Sequence, residues 1–397
     1  MGHPYRMGSE DRRRRTSRDA VVARLREHGA LSRAELVQRT QLSRPTVSSI
    51  VAELQQAGLI DEIAGSGPVN GSGRAATRIR LNRNAGAALG IDFGKRHLRV
   101  ALADLGHQVL AERREELRFD HEASAAIERA AQLIDALLDE AGVDRRRIVG
   151  TAMGLPGPVT GPHGELGSST ILPGWVGVRA AEAMSERLGL DVVADNDANL
   201  GALAEWVHGA GRGCNTVVYV KISNGIGAGL IIDGQPFRGA NGTAGELGHT
   251  VVDGHGRICR CGNRGCLETV AGAQALLDDL RPSRGELTAE QLLDRAAAGD
   301  GACRRVIADA GSAVGSTLAT LCNLIDPQRI VIGGELAAAG ELLLEPARAA
   351  LARGAIPSAA DATLVLGVLG DHAEVLGAVT LALRRSGVDL AAPSFAA

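Results

Sequence analysis

The sequence predicts an α/β protein in two parts, a small N-terminal winged helix-turn-helix and a large domain of two α/β lobes with a cleft between them. Charge separates the parts: residues 1–83 hold 15 arginines and eight acidic residues, whereas the rest holds 28 basic and 38 acidic residues. Capped helical patterns fill the basic part, and strands alternate with helices from Ala87 onward. A basic module joined to an acidic one indicates nucleic-acid binding at one end and another task at the other.

The first 16 residues are polar and include four consecutive arginines, Arg12 to Arg15. We predict a disordered basic tail, which either contacts DNA phosphates or is only solvated. Residues 17–83 form the predicted winged helix-turn-helix. The boundary to the large domain is expected near 82–86, because the Gly/Ser-rich segment 65–73 is better explained as a loop within the module.

Two short helices open this module. One face of the first is apolar, and it consists of Val21, Val22 and Leu25. Gly29 ends this helix. Ser32 then caps a second helix, and Glu35, three residues on, completes a capping box. This second helix is predicted to run to about Thr40.

A third helix is predicted to begin after Ser43, with Pro45 in its first turn, where a missing N–H costs little. Its apolar face consists of Val47, Ile50, Val51 and Leu54. Its other face offers polar side chains for DNA, namely Arg44, Thr46, Ser48 and Ser49. Leu59 and Ile60 start an extended segment, and residues 74–82 form a returning strand.

Three helices followed by a hairpin predict a winged helix-turn-helix whose third helix enters the major groove of double-stranded DNA. Arg74 would lie at the tip of the wing, beside the DNA backbone or the minor groove. A helical protein-interaction module is the alternative. Arg44 suits either a guanine edge or a phosphate, and the sequence does not separate the two.

The large domain is predicted to begin with three strands joined by tight turns, at residues 88–94, 98–105 and 108–117. A helix at 122–141 and a strand at 147–157 follow. Helices and strands then alternate through residue 334, with strands at 191–195, 216–222 and 228–234. A three-stranded antiparallel start followed by this alternation, occurring twice, is typical of the actin-like, ribonuclease H-like ATPases.

Three cysteines and one histidine predict a closed, four-coordinate zinc site, formed by His249, Cys259, Cys261 and Cys266. Two carboxylates, Glu246 and Glu268, flank these ligands. A zinc ion there would fix the two acidic side chains relative to each other, which indicates a polar binding site. The alternative is three buried free thiols and a surface histidine.

The other cysteines, Cys214, Cys303 and Cys322, lack disulfide-framework spacing, which favours a reducing compartment. No apolar run approaches the roughly 20 residues that span a bilayer, and no apolar segment follows the basic N-terminus. We therefore expect a cytoplasmic protein without membrane contact.

Seven segments of the large domain resemble the ROK family in its usual order: DFGKRHLRVAL, GLPGPV, ADNDAN, SNGIGAGLI, GELGH, CRCGNRGCLE and IVIGG. That family contains bacterial sugar kinases, and repressors in which a winged helix-turn-helix precedes a sugar-kinase-like domain. The resemblance implies such an effector domain over 86–388, and the N-terminal module indicates the repressor branch.

The resemblance also implies residue roles. The cysteines at 259, 261 and 266 and His249 match the family's zinc ligands. The matching sugar-contacting residues are Asn196, Asp197, Glu246, His249 and Glu268. Carboxylates suit sugars, because they accept hydrogen bonds from neighbouring hydroxyls. Asp197 matches the kinases' general base, although helix capping is an alternative role for it and for Asn196.

The phosphate loops depart from the kinase pattern. The kinases' D-x-G-G-T is Asp92 to Arg96 here, with Lys95 and Arg96 in place of the glycine and threonine. The second loop reads S-N-G-I-G instead of G-T-G-I-G. We expect the two bulky residues to fill the space of a triphosphate, so that Asp197 is a vestigial base and the protein is not an enzyme. The alternative is that Lys95 and Arg96 hold a phosphate through their side chains.

The sequence thus predicts a sugar-responsive transcriptional regulator, most simply a repressor of carbohydrate genes. Its homodimer or homotetramer would bind a palindromic operator, and a sugar or sugar phosphate would change that binding. Two alternatives remain: an ATP-dependent sugar kinase of the glucokinase or N-acetylhexosamine kinase type with a DNA-binding arm, and a constitutive DNA-binding protein with a vestigial pocket. The identity of the effector, its direction of action and the operator sequence lie beyond the sequence.

Overall fold

The computed structural model describes residues 9–64, 77–82, 85–118, 121–161, 164–166 and 172–386. The predicted wing-tip residue Arg74 and the first eight residues lie outside these ranges. Within them, no helix combines the length and apolar character needed to cross a membrane.

In the part of the N-terminal module that the structure describes, there are three helices and a three-stranded sheet. The helices are α1 Ser9–His28, α2 Arg33–Thr40 and α3 Arg44–Gln56. The strands are β1 Leu31–Ser32, β2 Ile60–Ile63 and β3 Arg78–Leu81. β3 lies in the middle and pairs antiparallel with both neighbours, which is the arrangement of a winged helix-turn-helix.

Side-chain caps set the helix boundaries of this module. Ser32 accepts a hydrogen bond from the backbone N–H of Glu35 at 3.3 Å, and the Glu35 carboxylate accepts one from the N–H of Ser32 at 2.7 Å. Ser43 caps α3 by accepting from the N–H of Thr46 at 3.2 Å. Gly29 follows α1 with a φ of +72°, a conformation that other residues rarely adopt. The predicted starts of α2 and α3 are therefore confirmed.

The prediction of a disordered tail over residues 1–16 is wrong for residues 9–16, which form the first turns of α1. Arginine is a good helix former, so the arginine run does not break a helix. The buried residues Val21, Val22 and Leu25 anchor the rest of α1 in the module. Once that nucleus exists, each further residue adds a hydrogen bond without a second nucleation cost.

Within the described residues, the first lobe of the large domain contains seven strands, two helices of its own and a third helix that leads out of it. Its strands are β4 Ala87–Phe93, β5 His97–Asp104, β6 Val109–Glu116, β7 Ile148–Leu155, β8 Val159–Thr160, β9 Glu165–Leu166 and β10 Val192–Asn196. Its helices are α4 Ala123–Ala141, α5 Ala180–Leu188 and α6 Asp197–His208.

The second lobe follows α6. Its strands are β11 Val217–Ile222, β12 Ile226–Ile232, β13 Gln235–Phe237, β14 Arg329–Gly333 and β15 Thr363–Leu366. Its helices are α7 Glu268–Ala271, α8 Ala273–Arg284, α9 Ala289–Ala297, α10 Gly301–Ile325 and α11 Glu341–Gly354. The last helix, α12 Ala373–Ser386, returns to the first lobe and packs against β4 and β7.

The main sheets of the two lobes have the same topology. Their strand orders are β6-β5-β4-β7-β10 and β13-β12-β11-β14-β15. In each, the first three strands in sequence are antiparallel and the last two add in parallel. The predicted duplicated, actin-like fold is confirmed.

Two helices join the lobes. α6 packs on β11 and β12 of the second lobe and also contacts α12, which packs on the first. Their approach is close: a Cβ added to Gly377 would lie 2.0 Å from the carbonyl oxygen of Leu200. The carboxyl ends of the parallel strands β4, β7, β10, β11 and β14 open toward the space between the lobes, where ligands of such sheets bind. Asp92, Asn196 and Lys221 stand at these strand ends.

Candidate functional site

The four predicted metal ligands converge. Their ligand atoms lie within 4.8 Å of one another. The sulfurs of Cys261 and Cys266 are 3.6 Å apart, and the sulfur of Cys259 is 3.5 Å from Nδ1 of His249. Three of the four side chains are buried or partly buried, and only Cys261 is exposed.

These separations fit a tetrahedral ion. Zinc with Zn–S bonds of about 2.3 Å holds its sulfurs roughly 3.8 Å apart, and disulfide sulfurs would lie about 2 Å apart. The loop needs its glycines to bring the ligands together: Gly265 has a φ of +66°, and a Cβ there would meet the carbonyl oxygen of Asp253 at 1.6 Å. The described residues therefore contain a Cys3His cluster suited to a metal ion.

Asn196 and Asp197 stand where β10 leads into α6. The Asn196 side chain caps α6 by accepting from the N–H of Asn199 at 3.1 Å, and its amide donates to the carbonyl of Gly157 at 2.9 Å. Asp197 accepts from its neighbours Ala198 and Asn196 through Oδ1, while Oδ2 points to another partner. The capping role considered for Asn196 is thus real, and it fixes the direction of the Asp197 carboxylate.

Glu246 and Glu268 approach from the metal loop. Glu246 lies 3.7 Å from Nε2 of His249, the ring nitrogen that faces away from the cysteines. Glu268 begins α7 and accepts from the N–H of Ile226 at 3.2 Å. Burial, followed by the charge of Asp197, raises the pKa of Glu246. The structure therefore brings the five predicted sugar-contacting residues to one place.

Arg260 also belongs to this site, although the sequence analysis did not identify it. It lies between two of the metal ligands and donates to the Glu268 carboxylate at 2.6 Å. On the opposite side, burial and the charge of Arg260 lower the pKa of Lys95. The charges of these two cations therefore interact with each other and with the carboxylates of the site.

The partner of Asp197 is Lys221. Its ammonium donates to Oδ2 of Asp197 at 3.0 Å and lies 3.0 Å from Oε1 of Glu374 on α12. Burial alone would lower the pKa of Lys221, but the charges of Asp197 and Glu374 outweigh it and hold that pKa well above its usual range. The residue that matches the kinases' base is therefore engaged in a buried ion pair.

The side chains around the first phosphate turn differ from the expected Lys95 and Arg96. Lys95 is half-buried, but Arg96 is exposed, so the prediction that both side chains fill the turn is wrong for Arg96. The ring of His97 takes that place instead: a Cβ on Gly94 would lie 2.1 Å from it. His97 also donates to Asp92 at 2.8 Å. The β4–β5 hairpin thus brings the His97 ring against Gly94 of this turn.

Lysine usage is a sequence signal that would have found two of these residues. The chain has 41 arginines and two lysines, Lys95 and Lys221, and both carry charges that interact with Asp197. All other basic side chains of this kind in the sequence are arginines, so the compact lysine ammonium occurs only at these two positions. His97 and Glu374 offered no such signal, because their roles depend on tertiary contacts.

The candidate DNA surface lies on α3. Of the four residues predicted to contact DNA, Thr46 is partly buried, and the three exposed ones are Arg44, Ser48 and Ser49. Thr46 shares a hydrogen bond of 2.7 Å with the capping Ser43, so its hydroxyl already has a partner. The amino-terminal turn of α3 thus presents one cation and several hydroxyls.

Fold and site together define a class: a winged helix-turn-helix joined to an actin-like domain of the sugar-kinase type that carries a Cys3His cluster. Comparison with known proteins agrees. The ROK family model matches residues 88–385, and the MarR family model matches residues 20–67. The chain belongs to the ROK family, as its motifs indicated.

Curated relatives share both parts. The chain is 28% identical to the xylose repressor of Caldicellulosiruptor bescii, covering 95% of this chain and 98% of that protein. It is 30% identical to the DNA-binding transcriptional dual regulator NagC of Escherichia coli, covering 96% of each.

Solved structures repeat the pattern. A ROK family transcriptional regulator, a homolog of the E. coli MLC protein, is similar with a TM-score of 0.77 at 28% identity, covering 95% of this chain and 98% of that one. A ROK family glucokinase from Streptomyces griseus, in complex with glucose and AMPPNP, has a TM-score of 0.66 at 26% identity. This match covers 75% of the present chain and 100% of the glucokinase chain. The family therefore includes kinases as well as regulators.

Proposed function

We propose that this protein is a sugar-responsive DNA-binding transcriptional repressor whose ROK domain binds a sugar or sugar phosphate and transfers no phosphate. One observation carries the proposal: a winged helix-turn-helix shares the chain with a cleft that holds the carboxylates expected to bind sugar hydroxyls, and the His97 ring lies against Gly94 of the first phosphate turn. The names of full-length relatives, among them a xylose repressor and an N-acetylglucosamine repressor, support it.

The effector is proposed to sit among Asn196, Asp197, Glu246, His249 and Glu268. His249 would bind zinc through Nδ1 and a sugar hydroxyl through Nε2, so the metal positions part of the pocket. Lys95 and Arg260, two cations whose charges interact at this site, favour a sugar that carries a phosphate. Zinc is the proposed metal because three thiolates and one imidazole are its preferred closed set.

The DNA partner is proposed to be a palindromic operator, bound by two winged modules of a homodimer or homotetramer. Arg44 and the hydroxyls of α3 would face the major groove. Effector binding changes DNA affinity only if the state of the protein that binds DNA and the state that does not differ in their affinity for the sugar, typically by about 1–3 kcal/mol.

A sugar kinase with a DNA-binding arm is the competing function, because Asp197 is kept and kinases share the fold. An ADP-release assay with xylose, glucose and N-acetylglucosamine separates the two. We expect no turnover. Turnover that Asp197→Asn abolishes would establish the kinase.

The direct test is a gel-shift experiment. Full-length protein is used to select genomic fragments, and the bound fragments are then titrated in the presence of xylose, glucose, N-acetylglucosamine and their 6- or 5-phosphates. We expect one of these compounds to weaken or strengthen the shift at least several-fold. DNA binding that none of the compounds changes would favour a constitutive DNA-binding protein instead.

A further inference from the structure

The buried ion cluster around Lys221 has a composition unusual for a protein interior. Its ammonium lies 3.0 Å from carboxylate oxygens of both Asp197 and Glu374. The exposed fraction of the side chain is 18% for Lys221, 15% for Asp197 and 6% for Glu374. Tyr219 also donates to Glu374, at 3.5 Å. The surrounding lobes therefore hold one cation between two carboxylates.

A third buried carboxylate interacts electrostatically with Lys221. Asp92 is 1% exposed, its Oδ2 accepts from His97, and its Oδ1 is buried with no hydrogen-bond partner among the described residues. Its charge is one of those that raise the pKa of Lys221. A single ammonium on β11 thus forms ion pairs with carboxylates of α6 and α12 and interacts electrostatically with a third on β4.

Carboxylate oxygens grouped in this way are the ligands that hard divalent cations take in proteins. In phosphoryl-transfer sites, such cations neutralise the phosphates of the nucleotide. A lysine ammonium is a compact point charge that fits the same place, whereas the planar guanidinium of arginine does not. The chain, with its 41 arginines and two lysines, keeps lysine at this position.

We propose that the Lys221 ammonium replaces a divalent cation between Asp92, Asp197 and Glu374, and so makes the cleft independent of magnesium and of magnesium-bound nucleotide. Lys221 is a positioning residue in this account, since it holds Asp197 in place for the effector. The inference rests on the proposed function, because it explains how a sensor keeps the base of a kinase without its metal.

The test compares wild type with Lys221→Gln in the full-length protein, by thermal unfolding in magnesium chloride and in sodium chloride of equal ionic strength. Wild type is expected to show no magnesium-specific shift. Lys221→Gln should unfold at a lower temperature and regain on the order of 2–4 °C in magnesium only, since the freed carboxylates then bind the ion. The proposal would be overturned if magnesium raised the unfolding temperature of Lys221→Gln no more than that of wild type. It would also be overturned if magnesium specifically shifted the unfolding temperature of wild type.

Two further variants keep the test decisive. Arg348→Gln removes a cation from an exposed pair with Glu341 and should gain no magnesium response. If Lys221→Gln does not fold, the double variant Lys221→Gln/Glu374→Gln should, because it removes one charge of each sign. The electrostatic account would be contradicted if the unfolding temperature of the double variant were no closer to that of wild type than the unfolding temperature of the single variant is. No DNA or sugar is present, so the result is independent of the gel-shift outcome.

Discussion

The effector side and the nucleotide side of the cleft differ in how their charges are satisfied. On the effector side, Glu246 is partly exposed, with His249 at 3.7 Å, and Glu268 is paired with Arg260. On the nucleotide side, Asp92 is bound to His97, and Glu374 is bound to Lys221; Asp197, one of the proposed effector contacts, is also paired with Lys221. The carboxylates on the nucleotide side are thus each paired within the protein, whereas Glu246 remains partly exposed.

This difference explains how a kinase-type domain can become a sensor. Phosphoryl transfer depends mostly on positioning and on cations near the phosphates. When the protein supplies such a cation from its own side chains, as Lys221 does here, the neighbouring carboxylates are paired and ordered without nucleotide. The sugar-contacting geometry can then persist while the second substrate is lost. Each experiment below tests one side of the comparison or the connection to DNA.

Removal of the metal should have the largest effect. Structural zinc sites contribute about 10–16 kcal/mol in small peptides, and here the loss should remain local to residues 249–268. Cys261→Ser is expected to lose its bound metal and its effector response and to keep its DNA affinity. Metal analysis, hydrogen exchange and gel shift measure the three quantities. Cys214→Ala, a buried cysteine outside the cluster, is the control. A metal-free variant that still responds to the effector would break the proposed coupling.

Neutralising the effector-side base should weaken binding next. A hydrogen bond to a charged group contributes about 1.5–3 kcal/mol, so Asp197→Asn should lower effector affinity roughly 10–100-fold. Calorimetric titration of the sugar found by gel shift measures it. Asp191→Asn, at an exposed position just before β10, the strand that leads to Asp197, should bind as wild type does. Unchanged affinity in Asp197→Asn would remove this residue from the pocket.

The DNA surface should respond to a single change on α3. A bidentate base contact discriminates by about 1–3 kcal/mol, so Arg44→Ala should weaken operator binding roughly 5–100-fold and relax specificity. If Arg44 binds a phosphate instead, affinity falls for all sequences and the salt slope decreases by about one. Gln56→Ala, at the other end of α3, serves as the control. Equal DNA affinity of Arg44→Ala and wild type would argue against this face.

The smallest effect concerns the helix cap. Ser43→Ala removes the bond to the Thr46 N–H and should destabilise the start of α3 by about 1 kcal/mol. Hydrogen exchange of residues 46–56 in the full-length protein reports this locally. Ser48→Ala, on an exposed position of the same helix, should change exchange by less than about 0.5 kcal/mol. Equal protection in the two variants would contradict the capping role.

Local rules predicted most of the fold. Ser32, Ser43 and Gly29 act within a few residues, so the boundaries of α2 and α3 and the end of α1 were accessible from the sequence. The metal cluster was accessible too, because its four ligands lie within 18 residues and have specific chemistry. The start of α1 was not, because a polar run of arginines resembles a tail until the buried part of the helix is known.

Long-range pairs account for what the sequence did not provide. Lys221 meets Glu374 across 153 residues, and Asp92 lies on a different lobe from Lys221. His97 closes its turn only because the β4–β5 hairpin places the ring over Gly94. No periodicity or motif indicates such contacts. Only the rarity of lysine hinted at two of the residues involved.

The central claim is that the cleft senses a sugar and binds no nucleotide. Calorimetric titration of the zinc-loaded, full-length protein with the sugars and sugar phosphates of the gel-shift set, and separately with magnesium ATP, tests it most directly. The account predicts saturable binding of at least one of the sugar compounds and no heat of binding for magnesium ATP. Saturable magnesium ATP binding, with or without ADP release, would contradict it.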